Sequence, residues 1–194
     1  MTVVQTPDKP KSLSEIPFEA VRASIRDIAD YPKPGILFKD ITTAIAQPKT
    51  FKLILDYFEL RYAEAFPNQP PPDFIVGIES RGFILGAPLA DRMNAGFIPI
   101  RKKGKLPGAV ERREYALEYG TDCVEVHRDA IPKGSRVLII DDLLATGGTS
   151  TAAAELVTQV GGDLLGMLFF IELAFINGRS KLPPMPLADA MIVF

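Results

Sequence analysis

Apolar positions change period along the chain, and each change predicts an element. Phe18, Val21, Ile25 and Ile28 recur at helical spacing until Tyr31-Pro32-Lys33-Pro34-Gly35 stops them, so a first helix is predicted there. After the segment Ile36 to Ile41, a second helix is predicted from about Pro48 to Ala65, followed by a proline-rich loop over Asn68 to Pro72. The pattern then becomes strand, turn, helix. Phe74 to Ile78 reads as a buried strand, Glu79 to Gly82 as a turn and Phe83 to Met93 as a helix. Phe97 to Ile100 is a further strand, and Arg101 to about Arg113 a basic loop with two glycines and a proline. Tyr115 to Tyr119 and Cys123 to His127 alternate like a hairpin around Gly120-Thr121-Asp122. Arg136 to Ile140 is the strongest buried strand. A helix over Thr149 to Val160 and a strand over Leu164 to Leu173 follow it.

Continuous apolar strands alternating with helices predict an α/β fold, with a mostly parallel central sheet flanked by helices. Ligands of such sheets bind at the carboxyl ends of the strands, so the chemistry is expected in the turns that follow them. No repeat or linker is visible, and residues 1–194 read as a single domain with a loose tail over about residues 1–12.

Composition excludes several classes. The net charge of -2 offers no basic stripe for bulk nucleic acid. Cys123 and His127 are the only residues of their types, which excludes an internal disulfide, a cysteine-rich zinc site and a histidine-pair metal site. The opening residues lack an apolar stretch of signal-peptide length, and the run Leu164 to Ile171 is too short to cross a bilayer. No membrane association is expected, and a cytoplasmic location is the expectation.

The most informative stretch runs from Val137 to Thr149. Its strand delivers two adjacent carboxylates, Asp141 and Asp142, to the sheet edge. Two ionised acids side by side repel and need a partner, such as vicinal ribose hydroxyls or a metal bound to them. Ala145-Thr146-Gly147-Gly148-Thr149 follows and opens into a helix. Exposed N–H groups, the positive helix end and threonine hydroxyls suit a sugar 5′-phosphate. The stretch has neither Gly-Lys-Ser/Thr nor G-x-G-x-x-G, so it is not an ATPase-type loop or a dinucleotide fingerprint.

Asp141 to Thr149 resembles the phosphoribosyl pyrophosphate signature of the type I phosphoribosyltransferases, and closely that of their adenine-specific branch. Three further segments resemble the same branch in the same order: Pro34 to Ile41 its hood, Gly77 to Phe83 its pyrophosphate loop, and Arg101 to Gly108 with Leu117 to Gly120 its mobile catalytic loop. The resemblance covers about Pro34 to Arg179. It implies the type I phosphoribosyltransferase fold with a small hood, formed by about residues 31–45 and the C-terminal segment.

It also implies roles. Asp141 and Asp142 would hold the ribose, and Ala145, Thr146, Gly147, Gly148 and Thr149 the 5′-phosphate. Glu79, Ser80, Arg81, Arg101, Lys102 and Lys105 would bind pyrophosphate, with a cis peptide between Glu79 and Ser80. Leu37, Phe38 and Lys39 would bind adenine, Phe38 by packing and its neighbours through main chain; the family often has arginine where this chain has Lys39. Taken alone, Phe38 reads better as a core residue and the Arg101–Lys105 charges as a solvated face, while Arg81 is as readily a solvated loop residue. Glu118 would act as acid or base at the purine N7 alongside Arg81 in catalysis, with Tyr119 in the lid. By alternation alone Glu118 points either way.

The implied reaction transfers the 5-phosphoribosyl group from phosphoribosyl pyrophosphate to adenine, giving AMP and pyrophosphate in purine salvage. It would use Mg²⁺ with no strong protein ligands, Asp141 or Asp142 acting through water. A homodimer is expected by resemblance. Two alternatives stand beside this reading: a phosphoribosyltransferase for another nucleobase, and a non-catalytic regulator that senses phosphoribosyl pyrophosphate.

Overall fold

The computed structural model describes residues 9–116 and 120–194, which fall into two compact units divided between Glu64 and Ala65.

In the first unit a short helix α1 (Phe18–Ala23) leads into strand β1 (Arg26–Ala29), which pairs antiparallel with β2 (Leu37–Asp40). The helix expected to run through Ile25 and Ile28 therefore stops early. Ser24 turns its hydroxyl back onto the Val21 carbonyl at 2.6 Å. Beyond it, cross-strand pairing of Ile28 with Phe38 replaces the helical register. Asp30 holds the connecting turn by accepting the Gly35 N–H at 2.8 Å. Asp40 ends β2 by accepting both the Thr42 N–H and its hydroxyl at 2.9 Å, which starts the one-turn helix α2 (Thr42–Ile45). Helix α3 (Pro48–Ala65) occupies the predicted span.

The second unit is a seven-stranded sheet of order β5-β6-β4-β3-β7-β8-β9. Its parallel part comprises β3 (Phe74–Ile78), β4 (Gly96–Lys102), β7 (Arg136–Leu144), β8 (Asp163–Glu172) and β9 (Leu187–Val193). The hairpin β5 (Val110–Ala116) and β6 (Thr121–His127) joins antiparallel through the end of β4. Helix α4 (Arg81–Arg92) follows β3, and α5 (Gly148–Gln159) follows β7. Both crossovers carry small or aliphatic residues onto strands that are apolar on both faces, and Ile75, Val76, Leu138, Ile139 and Ile140 are fully buried. This is the mostly parallel α/β architecture that the sequence predicts.

Two departures from the expected organisation bear on the site. The basic loop expected to reach Arg113 gives way to strand at Val110. That strand lies at the sheet edge and is held by charge pairs, Arg112 to Glu125 at 3.0 Å and Arg113 to Glu155 at 2.5 Å, so it lacks an apolar alternation. The C-terminal segment, expected with the hood, forms edge strand β9 of the large sheet instead, because Leu187, Ala190, Met191 and Ile192 are buried there. No helix among the described residues is long and apolar enough to cross a membrane.

Candidate active site

The carboxyl ends of the neighbouring strands β3 and β7 open into a cavity of about 240 Å³. Glu79, Ser80, Arg81, Lys102, Asp141, Asp142, Ala145, Thr146, Gly147 and Thr149 line it, together with Ile78, Leu143 and Ser150. Ten of the residues singled out from the sequence thus converge here. Ile78, Leu143 and Ser150 were not among the site residues expected, although a second hydroxyl beside Thr149 at a helix start is a recognisable signal.

Strand β7 carries the acid pair. Asp141 and Asp142 are both buried. Burial pushes the Asp141 carboxyl well above its ordinary range, and the adjacent Asp142 charge pushes it further. Asp142 accepts a hydrogen bond from the Arg81 guanidinium, which reaches over from the first residue of α4. Close approach of α4 requires Gly82, where a Cβ would lie 2.9 Å from both Asp141 Oδ1 and the Ile140 carbonyl.

The loop between β7 and α5 turns on Gly147, whose φ of 79° favours glycine. Behind it stands Gly178. A Cβ on Gly178 would lie 2.0 Å from the Ala145 carbonyl oxygen, so the two backbones touch directly. Arg179 anchors that support by donating to Glu172 and, at 2.6 Å, to the Ala188 carbonyl. Leu173 N–H bonds the Leu144 carbonyl at 2.9 Å. The seat was invisible in the sequence, since the Asn177-Gly178 turn lies some thirty positions from the loop it supports.

The Glu79–Ser80 peptide is cis. Glu79 accepts the Arg101 guanidinium at 3.0 Å and the Lys102 N–H at 2.8 Å. Burial raises this carboxyl, but those donors outweigh it and leave the group below its ordinary range. The Glu79 carboxylate therefore orients Arg101 and offers an anion nothing itself. Lys102 donates to Tyr115 and, at 2.5 Å, to Asp122. Burial lowers its pKa, yet these partners more than compensate and keep it a cation. Arg101 and Lys105 are not among the cavity-lining residues. The arrangement offers hydroxyl ligands, an anion loop and cations around a polar hollow, which is what a phosphorylated sugar with a second anionic group requires.

A family model described as a phosphoribosyl transferase domain matches residues 42–181. An adenine phosphoribosyltransferase of Nostoc punctiforme is 54% identical over 86% of this chain and 95% of its own length. One of Gloeobacter violaceus is 50% identical over 88% and 96%. The chain belongs to the adenine phosphoribosyltransferase family.

Solved structures agree with that membership. An adenine phosphoribosyltransferase of Rhodothermus marinus superposes with a TM-score of 0.82 at 46% identity, covering 91% of this chain and 98% of that one. The Saccharomyces cerevisiae adenine phosphoribosyltransferase, complexed with an imino-altritol bisphosphate and adenine, gives 0.83 at 42% identity over 91% and 96%. The remaining residues expected of an adenine phosphoribosyltransferase lie elsewhere. Leu37, Phe38 and Lys39 sit on β2 of the first unit. Phe38 is half-buried and meets Tyr31 edge to face at 5.1 Å, while Lys39 donates to Asp27 at 2.7 Å. Glu118 and Tyr119 lie outside the described residues.

Proposed function

We propose that this chain transfers the 5-phosphoribosyl group of phosphoribosyl pyrophosphate to adenine, releasing pyrophosphate and forming AMP for purine salvage. The observation that carries the reading is one cavity holding the buried acid pair, the Gly147 loop and the cations Arg81 and Lys102. The names of the relatives above, and the adenine held by the yeast structure, support the choice of base.

Asp141 and Asp142 take the two ribose hydroxyls. Their carboxyl oxygens are acceptors for the hydroxyls of that diol. The N–H groups and hydroxyls of Ala145, Thr146, Gly147, Gly148 and Thr149 take the 5′-phosphate at the start of α5. Pyrophosphate is taken by Ser80, Arg81 and Lys102, with Glu79 holding Arg101 toward the same end and Lys105 adding charge. Mg²⁺ would be held, through water, by Asp141 or Asp142, whose carboxyl oxygens at the cavity suit this ion. Bound with the donor, it would supply charge neutralisation on the pyrophosphate.

Adenine forms a bond from N9 to the anomeric carbon as the bond from that carbon to the pyrophosphate oxygen breaks. The electron pair leaves with pyrophosphate, whose charge Arg81 and Lys102 stabilise. Phe38 supplies an aromatic face for the purine and the main chain at Leu37 and Lys39 its polar contacts, since the Lys39 ammonium is already bound to Asp27. By resemblance to the family, Glu118 would accept the N7 proton of adenine as N9 bonds to the sugar, and Tyr119 would belong to the lid. A cytoplasmic homodimer completes the proposal by resemblance to the family.

The test is product identification with phosphoribosyl pyrophosphate, Mg²⁺ and a panel of nucleobases. AMP should form from adenine and dominate over products of guanine, hypoxanthine and orotate. Absence of AMP would reject the function, and a faster product from another base would reject the substrate.

A further inference from the structure

Glu125 has no solvent exposure and no part in the reaction described above. It lies on β6, between β4 and β5, opposite Arg101 on one side and Arg112 on the other. Directly opposed residues share a face of the sheet, so Arg112, Glu125 and Arg101 form a row of alternating charge. The row continues through the Arg101 guanidinium to Glu79 at the cavity wall.

The Glu125 carboxylate is fully engaged. Its Oε1 accepts the Lys105 N–H at 2.9 Å and the Leu106 N–H at 3.0 Å, and its Oε2 accepts Arg112 Nε at 3.0 Å. The Gly104 N–H contributes as well. Burial pushes this acid up, but the donors overcome that and hold it at about 2. It is therefore a permanent anion that grips three successive backbone groups of the basic turn. That turn carries Lys105, which is exposed and whose charge is felt at Glu79. Lys103 N–H bonds the Cys123 carbonyl at 3.1 Å and fixes the turn's entry.

We propose that Glu125 is a positioning residue for the pyrophosphate end of the donor: it clamps Gly104 to Leu106 onto β6 and thereby presents Lys105 beside the cavity. The proposal rests on the reading of that cavity as the donor site. It divides the basic loop into a fixed first turn, which supplies charge, and a later part free of this clamp.

A double-mutant cycle tests it, with inorganic pyrophosphate and Mg²⁺ titrated calorimetrically into the whole protein. Glu125→Gln keeps the size but removes the charge and sets an amide N–H₂ among donors. It should weaken pyrophosphate binding by about tenfold, as should Lys105→Ala. The double variant should bind no more weakly than Lys105→Ala alone. Glu125→Asp, which keeps the charge on a shorter arm, should fall between wild type and Glu125→Gln and serves if the amide variant does not fold. Unaltered pyrophosphate affinity in Glu125→Gln, or losses that simply multiply in the double variant, would overturn the clamp. Failure of the wild-type protein to bind pyrophosphate would instead sink the donor-site reading, so the two failures are distinguishable.

Discussion

Replacing Gly178 by alanine should damage donor binding although the residue touches no substrate in the proposed reaction. The added Cβ would stand 2.0 Å from the Ala145 carbonyl oxygen and 2.8 Å from the Gly147 nitrogen, whereas ordinary contact begins at 3.4 Å. One side must retreat by more than about 1 Å, a displacement on the scale that costs on the order of 10²-fold when it reaches a reacting group. Gly178 is poorly placed to move, since the next residue, Arg179, is tied to Glu172 and to the Ala188 carbonyl. The 5′-phosphate loop is the side that shifts. Donor KM should rise by about 10–100-fold, and overpacking should cost about 1–3 kcal/mol of stability. The assay is initial rate against phosphoribosyl pyrophosphate at saturating adenine, with a thermal melt alongside. Gly134→Ala is the control: its φ of 80° strains an alanine, but nothing lies within 4 Å of the added carbon. It should cost about 1–2 kcal/mol with donor KM unchanged. Donor KM within twofold of wild type for Gly178→Ala would refute the idea that this glycine seats the loop.

Asp142→Asn should raise donor KM while the protein stays folded, because it weakens both the ribose ligand and the Arg81 pair; unaltered donor affinity counts against the ribose assignment. Glu118→Gln at saturating substrates should lower turnover by about 10²-fold or more if that carboxylate acts as acid or base, and an unchanged rate rejects the role. Asp40, whose pKa the Thr42 hydroxyl, the Thr42 N–H and Arg26 lower from 3.8 to about 2, is depressed on folding. Its stabilisation is present above pH 3.8 and is lost as pH falls through about 2. Acid unfolding of Asp40→Asn should therefore show a shallower loss of stability over that window, and an acid limb parallel to wild type would contradict it.

What the sequence made legible was whatever depends on contiguous residues. Arg136 to Ile140 announces its strand because a strand buried on both faces has no polar positions. Asp141 to Thr149 announces its chemistry because strand end, acid pair, loop and helix start are consecutive. The failures share the opposite cause. Arg26–Ala29 carries helical spacing, yet its conformation is decided by β2, eight or more residues away. Val110–Ala116 pairs through charges, so no apolar period marks it. Glu125 is buried by a basic turn about twenty residues earlier in the chain, so nothing beside it in the sequence marks it. Gly178 carries no signal of its own.

The Arg81 guanidinium resting on Asp142 has a kinetic corollary. An empty hollow of two acids would be an open invitation to stray cations, and a free arginine to stray anions. Joined, they silence each other. In the proposed reaction a donor carrying a diol and a pyrophosphate would give each a new companion in a single exchange, whereas a ligand with only one of those parts would leave the other group without one and should bind more weakly. On the proposed reading the resting handshake would favour the whole donor over either half without shutting out pyrophosphate.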